Sequence, residues 1–212
     1  MAQRQPTRRE IAGADHATIE AFKETSTAVI SDNLDRLPGA IGLHAFYTGG
    51  VMVGRAVTVK TASGDNKIIH EALEILQPGD VLVVDGGGDT SRALVGEIMA
   101  TIAASKGAAG IVIDGAVRDS AVLVRSSFPC FAKAAIHRGP YKNGPGAINE
   151  VVVIGGMVVR PGDIVVGDED GVVAFSPDDA VRLLSDVHAQ QEREAAILRS
   201  IHEGRYTGAY AK

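Results

Sequence analysis

Apolar and polar positions alternate along the chain in a way that predicts buried strands separated by helices. Two short, wholly apolar segments, Val81–Val84 and Gly110–Ile113, flank a helical stretch of about Gly96–Ser105. Short apolar runs that alternate with helices are typical of parallel strands buried on both faces. We expect a third such strand at Cys130–Lys133, after a short helix near Asp119–Val124. The pattern therefore indicates an α/β core.

Helices and one long strand are predicted ahead of this core. The stretch Ile19–Leu37 has a helical pattern and divides near Thr25-Ser26, where a hydroxyl can cap a second helix, Thr27–Leu37. The run Gly50–Thr61 is rich in β-branched residues and predicts a strand, which an amphipathic helix at Lys67–Leu76 follows.

The last third of the chain has a different pattern. Residues Asn149–Phe175 carry pairs of apolar runs separated by Gly-Gly, Pro-Gly-Asp and Asp-Gly turns, which predicts an antiparallel β-meander. Taken with the preceding elements, this predicts an N-terminal helical segment at residues 1–24, an α/β domain at residues 25–176 and a carboxyl-terminal helix at residues 177–212.

The carboxyl-terminal helix has clear start signals. Ser176 can act as its N-cap and Pro177 occupies the first helical position, and we expect the helix to run to about Glu203. Its first half has an apolar stripe formed by Val181, Leu184 and Val187. The centre, His188–Glu194, is strongly polar before the sequence becomes apolar again. This pattern suggests that the second half packs on a neighbouring subunit.

Composition narrows the class of protein. The chain has 212 residues, of which 45% are hydrophobic and 22% charged, and this suits a globular fold with a full core. No apolar run reaches the roughly eighteen residues of a membrane span, and no signal-peptide core follows the polar start. The net charge of -5 and the single Cys130 favour neither nucleic acid nor a disulfide framework. We expect a cytoplasmic protein whose partners are small molecules and copies of itself.

Polar residues concentrate where the predicted parallel strands end. The two loops are Asp85–Asp89, with three glycines, and Asp114–Asp119, with Arg118. Ligands collect at the carboxyl ends of the strands in open α/β sheets, so we expect these loops to face each other. The simpler interpretation is that the glycines form tight turns and that Arg118-Asp119 is a surface ion pair, with the aspartate capping the short helix.

A helix start beside these loops favours a binding site. Gly96-Glu97 opens the predicted helix, and the exposed amides of a helix N-terminus suit a carboxylate. Arg118 can add a planar, bidentate donor to the same anion. Asp119 supplies a hard oxygen ligand of the kind that Mg²⁺ or Mn²⁺ accepts while keeping several waters. Together these residues predict a site for a 2-oxo acid and a divalent metal.

At these residues the sequence resembles the RraA-like group that contains the 4-hydroxy-4-methyl-2-oxoglutarate and 4-carboxy-4-hydroxy-2-oxoadipate aldolases. The resemblance extends from about Thr25 to Gly204 and rests on PGDVLVVDGGG, ALVGE, GIVIDGAVRDS and VVRPGDIVVGDEDGVVAF. It implies an α/β domain of the swivelling β/β/α type, in which a parallel sheet packs with a β-barrel-like layer and a carboxyl-terminal helix projects. It also implies a trimer or hexamer with sites between subunits.

The resemblance implies roles for individual residues. The family signature is an acid or glycine followed after twenty residues by Arg-Asp, and Glu97 stands in that place before Arg118-Asp119. Asp119 would then bind Mg²⁺ or Mn²⁺, Arg118 would hold the substrate's oxo and carboxylate oxygens, and Glu97 would hold a water on the metal. The substrate carboxylate would bind the amides at the start of the helix, at Gly96, Glu97, Ile98 and Met99.

Two further positions concern the match to particular members of the family. The family uses a glutamate from the carboxyl-terminal helix of an adjacent subunit, for which Glu194 is the best match and Glu192 the second. Some members carry an acid three residues after the Asp of the pair, where this chain has Val122. Regulators of ribonuclease E in the family often lack the intact Arg-Asp pair, so its presence favours the enzyme.

The implied activity is cleavage of a carbon–carbon bond in a 2-oxo acid to release pyruvate. The cleavage leaves a pyruvate enolate, and a divalent cation with Arg118 would stabilise this anion as it forms. A base positioned by Glu97 and Glu194 would remove the substrate hydroxyl proton. Decarboxylation of oxaloacetate passes through the same enolate, so it is expected as a second activity.

Other residues support weaker alternatives. Lys60 could form a Schiff base if it were buried. His70 is more often a helix-face residue than a ligand, and Asp65 and Asn66 are most simply a helix cap that could also line the site. The six histidines lack the spacing of a zinc site. A non-catalytic alternative is an interaction module that binds a ribonuclease or helicase, and it would need none of Glu97, Arg118 and Asp119.

Overall fold

The computed structural model of the protein describes residues 14–36 and 38–208. The helices are α1 His16–Ala21, α2 Thr27–Asp32, α3 Lys67–Ile75, α4 Glu97–Ser105, α5 Ser120–Arg125 and α6 Ala180–His202, with 3₁₀ turns at Phe22–Glu24 and Pro177–Asp179. The strands are β1 His44–Ala45, β2 Met52–Thr61, β3 Asp80–Asp85, β4 Ala93–Val95, β5 Gly110–Val117, β6 Cys130–Ala135, β7 Gly146–Ile148, β8 Val152–Ile154, β9 Met157–Val159, β10 Ile164–Asp168 and β11 Gly171–Phe175.

One mixed sheet dominates the fold. Its order is β1-β6-β5-β3-β2-β10-β11, with β4 beside β5 and β7 beside β2. The strands β2, β3, β5 and β6 are parallel, whereas β10 and β11 continue the sheet in antiparallel pairing. The sheet curves around an apolar interior like a nearly closed barrel, and the fold is the expected mixed α/β domain with a carboxyl-terminal helix.

The central strands are buried on both faces. Leu82 and Ile111 face the helices α3, α4 and α5, whereas Val83 and Val112 face the interior that β8–β11 complete. This alternation explains why these strands are apolar without interruption, because neither face meets water. The strands predicted at Val81–Val84, Gly110–Ile113 and Cys130–Lys133, and the crossover helices between them, are confirmed.

The predicted β-meander is wrong in its connectivity. Strands β8 and β9 form a separate two-stranded hairpin, whereas β10 pairs with β11 and with β2. The Pro-Gly-Asp turn therefore leads from the β8–β9 hairpin into the large sheet. There the Gly162 N–H donates to the Ala56 carbonyl, and the Ala56 N–H donates to the Asp163 carbonyl. The turn residues predicted the two hairpins, but they did not predict that β2 is the second strand with which β10 pairs.

The first helical region is shorter and more broken than predicted. Ser26 caps α2 by accepting a hydrogen bond from the Val29 N–H, as expected, but α2 ends at Asp32. Asp35 and Arg36 then adopt left-handed backbone conformations that no α-helix can contain. Leu37, the predicted end of this helix, lies outside the described residues, as do 1–13 and 209–212 of the predicted terminal segments.

Helix α6 packs on the domain through its first half only. Leu183 and Val187 are fully buried, whereas Val181, which the sequence pattern placed in the apolar stripe, is 68% exposed. After Val187 every described residue of α6 is half-buried or exposed, including Leu198 and Ile201. The helix therefore projects from the domain, as expected. Among the described residues no helix is long and apolar enough to cross a membrane.

A buried carboxylate joins helix α2 to the β10–β11 hairpin. Asp168 accepts hydrogen bonds from the Thr27 N–H (2.8 Å) and from its hydroxyl (2.6 Å). Both side chains are almost fully buried, so the carboxylate depends on these donors in place of water. Asp170 in the turn adds a third donor through its N–H (3.0 Å).

Replacing Thr27 with Val removes one of these donors while keeping the shape of the side chain. We expect Thr27→Val to lower the free energy of unfolding by about 1–3 kcal/mol, because the buried carboxylate loses a hydrogen bond. Urea denaturation measures the change. Thr101→Val, at an exposed position of α4, is the matched control, and an equal loss in both variants would contradict the role of the Thr27–Asp168 contact.

Candidate active site

The candidate site lies where strand β5 ends and helix α4 begins. The short strand β4 pairs with the end of β5, and the Arg118 N–H donates to the Val95 carbonyl (3.0 Å). Gly96 is the N-cap residue of α4 and has no side chain with which to cap it. The last residue of β4 and the residue after β5 are thus adjacent, and Arg118-Asp119 lies against the first turn of the helix.

Glycine at position 96 leaves room for the side chains of Arg118 and Asp119 to lie against the start of α4. A β-carbon on Gly96 would lie 2.6 Å from Asp119 Oδ2 and 2.9 Å from Arg118 Cγ. The Asp119 carboxylate also accepts a hydrogen bond from the Glu97 N–H (3.1 Å), where the positive end of the helix dipole favours an anion. The first amide of α4 therefore binds Asp119 rather than a ligand.

Asp119 has a left-handed backbone conformation with φ 57° and ψ 32°. For a residue other than glycine this costs on the order of 1–2 kcal/mol. Its side chain does not cap the following helix α5, and its Oδ2 is 3.9 Å from Arg118 Nε. Asp119 is therefore the N-cap residue of α5 by position and forms the expected surface ion pair with Arg118, but its carboxylate does not cap α5 and instead accepts from the first amide of α4.

Two cavities border this pair of residues, and Arg118 and Asp119 line both. The first, of about 590 Å³, is called the Glu97 cavity, and the second, of about 300 Å³, the Asn66 cavity. The Glu97 cavity is otherwise lined by Glu97, Ser120, Ala121, Val122, Ala135, Ile136 and His137. The Asn66 cavity is otherwise lined by Asn66, His70, Ala93, Leu94, Val95, Gly96, Ile98, Met99, Gly139, Pro140 and Lys142.

The Asn66 cavity combines cationic groups with hydrogen-bonding groups. Arg118 and Lys142 carry positive charge, and the first turn of α4 contributes Ile98 and Met99. Their N–H groups belong to the helix positions that have no carbonyl partner within the helix. A cavity with this lining attracts an anion, and a carboxylate can accept hydrogen bonds from both amides.

Asn66 is held at the wall of the same cavity. Its Nδ2 donates to the Leu94 carbonyl (3.0 Å) and contacts Met99 Sδ (3.4 Å). Its Oδ1 is buried and has no hydrogen-bond partner within the described part of the chain. The predicted cap of α3 is made by Asp65, whose Oδ1 accepts from the Lys67 N–H (2.9 Å). Asn66 is therefore free of the capping role and available to a ligand.

His70 lies half-buried on α3 and also lines the Asn66 cavity. Burial lowers the pKa of its imidazole below the usual 6.5, and the charge of Lys142 lowers it further. Both effects disfavour the imidazolium form of His70. In its neutral form, one ring nitrogen donates a hydrogen bond and the other accepts one.

The donor set at Asp119 fits a metal that keeps most of its water. Asp119 and Glu97 line one cavity, but among residues 14–36 and 38–208 no group of three His, Cys, Asp or Glu side chains could hold a metal ion. Mg²⁺ binds through one or two carboxylates and retains several waters, whereas a structural zinc site needs four protein ligands. Asp119 with Glu97 nearby therefore suits Mg²⁺ or Mn²⁺.

The structure brings most of the predicted site residues together. Six of the predicted residues each line at least one of the two cavities: Gly96, Glu97, Ile98, Met99, Arg118 and Asp119. Neither cavity includes Glu192 or Glu194, which are exposed on the projecting half of α6. Glu194 accepts a hydrogen bond from Gln190 of its own helix (2.8 Å), so its predicted role in an adjacent subunit stays a prediction.

The glycine-rich loop at Asp85–Asp89 does not line either cavity. Gly88 donates its N–H to the Asp114 carbonyl (3.0 Å) and lies over Lys133, whose Nζ is 2.8 Å from the Asp114 carboxylate. Gly88 of the first loop does contact Asp114, but Asp114–Val117 continue strand β5, so the predicted second loop is wrong and only Arg118 and Asp119 lie beyond the strand. Lys60, the Schiff-base alternative, is exposed on β2 and lacks the burial that would activate it.

Lys142 and the backbone around Gly139 were missed by sequence reasoning. They lie in an irregular segment after β6, which has neither a strand nor a helix pattern and no recognisable motif. The run HRGPYKNGPG offered a signal, because a Gly- and Pro-containing run between two strands predicts a loop, and binding residues often lie on loops. Only the fold shows that this loop lies against Gly64, Asp65 and Arg92.

Polar groups that gather at the strand ends of an α/β sheet are typical of ligand-binding proteins, and comparison with known proteins gives the family. The Aldolase/RraA family model, described as RraA-like, matches residues 27–174. The chain therefore belongs to the RraA-like family. A relative from Halalkalibacterium halodurans, named as a candidate 4-hydroxy-4-methyl-2-oxoglutarate aldolase, is 36% identical over 186 residues, which are 87% of this chain and 89% of the relative.

Solved structures share the fold. An uncharacterized protein from Pseudomonas syringae pv. tomato superposes with a TM-score of 0.83 at 26% identity, over 93% of this chain and 94% of that one. The RNA-processing inhibitor RraA from Thermus thermophilis superposes with a TM-score of 0.65 at 34% identity, over 73% and 94% of the two chains. The names of these similar proteins thus include both an enzyme and an inhibitor.

Removing the charge of Lys142 should change the titration of His70. We expect Lys142→Met to raise the pKa of His70, because one of the two effects that oppose its protonation is lost, while burial keeps the pKa below 6.5. NMR titration of the His70 ring protons measures the change. Lys23→Met, on the distant first helical region, should leave the pKa of His70 unaltered, and a pKa unaffected by Lys142→Met would show that the two groups do not interact.

Proposed function

We propose that the protein is a divalent-metal-dependent lyase that cleaves a 2-oxo acid to release pyruvate. The observation that supports this most strongly is the junction of Arg118 and Asp119 with the first turn of α4, bordered by two cavities. The substrates we propose are 4-hydroxy-4-methyl-2-oxoglutarate and 4-carboxy-4-hydroxy-2-oxoadipate. Oxaloacetate would be decarboxylated at the same site.

The pyruvyl carboxylate binds at the start of α4 in this proposal. The Ile98 and Met99 amides donate to it, and the Arg118 guanidinium binds the carboxylate and the 2-oxo oxygen with two parallel hydrogen bonds. The Glu97 amide takes no part because it already binds Asp119. These donors fix the plane of the 2-oxo acid, so that the bond to be broken can stand perpendicular to it and its electrons can enter the carbonyl system.

Charge develops on the 2-oxo oxygen as the bond breaks. Arg118 lies at the boundary of both cavities and can strengthen its hydrogen bond to this oxygen as the enolate forms. Mg²⁺ or Mn²⁺ held by Asp119 would supply additional positive charge to the same developing anion. Lys142 lines the same cavity as Arg118, and its ammonium group can bind a second carboxylate of the substrate.

The substrate hydroxyl must lose a proton during aldol cleavage. Glu97 lines the larger cavity beside Asp119, where its carboxylate can orient a water that accepts this proton. We propose that Glu194 of a neighbouring subunit completes this arrangement, with trimers or hexamers as the assembly. The exposed apolar residues on the second half of α6, Ile197, Leu198 and Ile201, support a contact between subunits.

The similarity to the inhibitor RraA supports a second candidate function. A protein that binds an RNA-processing enzyme would need surface contacts and no cavity residues. The strained backbone of Asp119 and the orphaned Oδ1 of Asn66 would then have no use. Strain and unpartnered polar groups persist mainly at functional sites, which favours the enzyme.

The proposal predicts that pyruvate release depends on Asp119. With Mg²⁺ present, wild-type protein should release pyruvate from oxaloacetate and from 4-hydroxy-4-methyl-2-oxoglutarate, and excess EDTA should abolish both activities. Asp119→Asn should reduce kcat/KM by at least about 100-fold, the effect typical of losing a main electrostatic group of a transition state. A coupled assay with lactate dehydrogenase measures the released pyruvate.

Asp170→Asn, in the exposed turn between β10 and β11, is the matched control and should retain full activity. Activity that survives EDTA would contradict the role of the metal and lead to borohydride trapping at Lys60. If neither substrate is turned over, the interaction module becomes the better account.

A further inference from the structure

A seven-residue segment after β6, residues 138–144, crosses the Asn66 cavity and is called the strap. Three of its residues, Gly139, Pro140 and Lys142, line the cavity. The strap belongs to no helix or named strand, and its residues are mostly exposed. A segment of this kind keeps a defined position only through specific anchors, because it buries little apolar surface.

Arg92 anchors the first half of the strap. Its Nη1 donates to the Gly139 carbonyl (2.8 Å), and its Nη2 donates to the Tyr141 hydroxyl (2.7 Å). The guanidinium carbon also lies 4.0 Å from the centroid of the Tyr141 ring, at cation–π distance. One planar side chain thus makes three contacts with residues on either side of Pro140. Lysine could not reproduce this fork.

Asp65 anchors the second half of the strap. Its Oδ2 accepts hydrogen bonds from the Asn143 N–H (2.6 Å) and the Gly144 N–H (2.8 Å). The Tyr141 N–H in turn donates to the Gly64 carbonyl (2.8 Å). Lys142 therefore lies between two fixed points, and its side chain enters the cavity from a defined backbone position.

The strap also contacts Arg118 directly. A β-carbon on Gly139 would lie 3.2 Å from Arg118 Nη1, so the backbone at this point passes beside the guanidinium. The Gly139 carbonyl is the one that Arg92 holds. Any shift of the strap at Gly139 would therefore change the space available to Arg118 as well as the position of Lys142.

We propose that Arg92 is a positioning residue, which fixes the strap so that Lys142 and Arg118 converge on the ligand bound in the Asn66 cavity. The inference deepens the proposed function and rests on it for its catalytic consequence. Arg92 is not among the residues that line the cavity, so it acts through the strap. Tyr141 shares this role as the ring and hydroxyl that Arg92 holds.

A double-mutant cycle tests the proposal on kinetics. With oxaloacetate and saturating Mg²⁺, Arg92→Ala should lower kcat/KM about 10-fold, within the range of coupling between contacting groups. In a Lys142→Met background the same substitution should cost markedly less, because one of the two groups that Arg92 positions is already gone and only its effect on Arg118 is left. Tyr141→Phe, which keeps the ring and loses one acceptor, should have an intermediate effect. An equal loss in both backgrounds, or no loss in either, would overturn the proposal.

A second measurement does not depend on turnover. If Arg92 holds Lys142 beside His70, Arg92→Ala should raise the pKa of His70 in an NMR titration. The direction of this change is the same as that expected for Lys142→Met. In the Lys142→Met background Arg92→Ala should leave the pKa of His70 unchanged. A direct effect of the Arg92 charge would persist in that background and would overturn the positioning role, as would an unchanged pKa in the single variant.

Controls separate positioning from loss of fold. Arg182→Ala removes an exposed arginine that pairs with Asp179 and Asp186 on α6, and it should leave both the kinetics and the His70 titration unchanged. Tyr141→Phe is the milder substitution if Arg92→Ala does not fold, and its His70 titration then decides the matter. Wild-type protein without pyruvate release would contradict the proposed function, while the titration would still decide whether Arg92 fixes the strap.

Discussion

The burial of strand β5 on both faces is the constraint on which the site depends. All eight of its residues are buried, and its register is set by β3 on one side and β6 on the other. A strand held in this way cannot slip, because a shift of one residue would exchange its two apolar faces. The first polar residues able to leave the core are Arg118 and Asp119, directly after its end. Their position is therefore set by core packing and does not depend on a loop.

The start of α4 is brought to the same point by strand β4. This short strand pairs with the last residues of β5, and its own last residue immediately precedes Gly96. The absence of a β-carbon at Gly96 lets the Asp119 carboxylate reach the Glu97 amide, and the left-handed backbone of Asp119 turns it there. A helix terminus, an arginine and a carboxylate thus meet without any of them being buried, which leaves them open to a ligand. The residues of the strap then complete the wall with positive charge.

Much of this could be predicted from the sequence, for physical reasons that differ between residues. The apolar runs at Val81–Val84 and Gly110–Ile113 predicted the parallel strands because burial on two faces leaves a strong pattern. The start of α4 at Gly96-Glu97 was predicted from the helical pattern, and Arg118-Asp119 were expected at the site because ligands lie at the carboxyl ends of parallel strands. The role of Asp65, the second partner of β10 and the place of Lys142 could not be predicted, because they depend on contacts between residues far apart in the chain. Val181 was wrongly assigned to the apolar stripe of α6, because Leu183, two residues later, packs in the core instead.

The central claim is that one site binds both the 2-oxo acid and the divalent metal, and a crystal structure with Mn²⁺ and oxalate, an analogue of the pyruvate enolate, tests it most directly. Anomalous scattering of manganese locates the ion without assumption. The account predicts the manganese peak at the Asp119 carboxylate, with an oxalate carboxylate on the Ile98 and Met99 amides and within hydrogen-bond distance of Arg118. A manganese peak away from Asp119, or oxalate bound where Arg118 cannot reach it, would contradict the account.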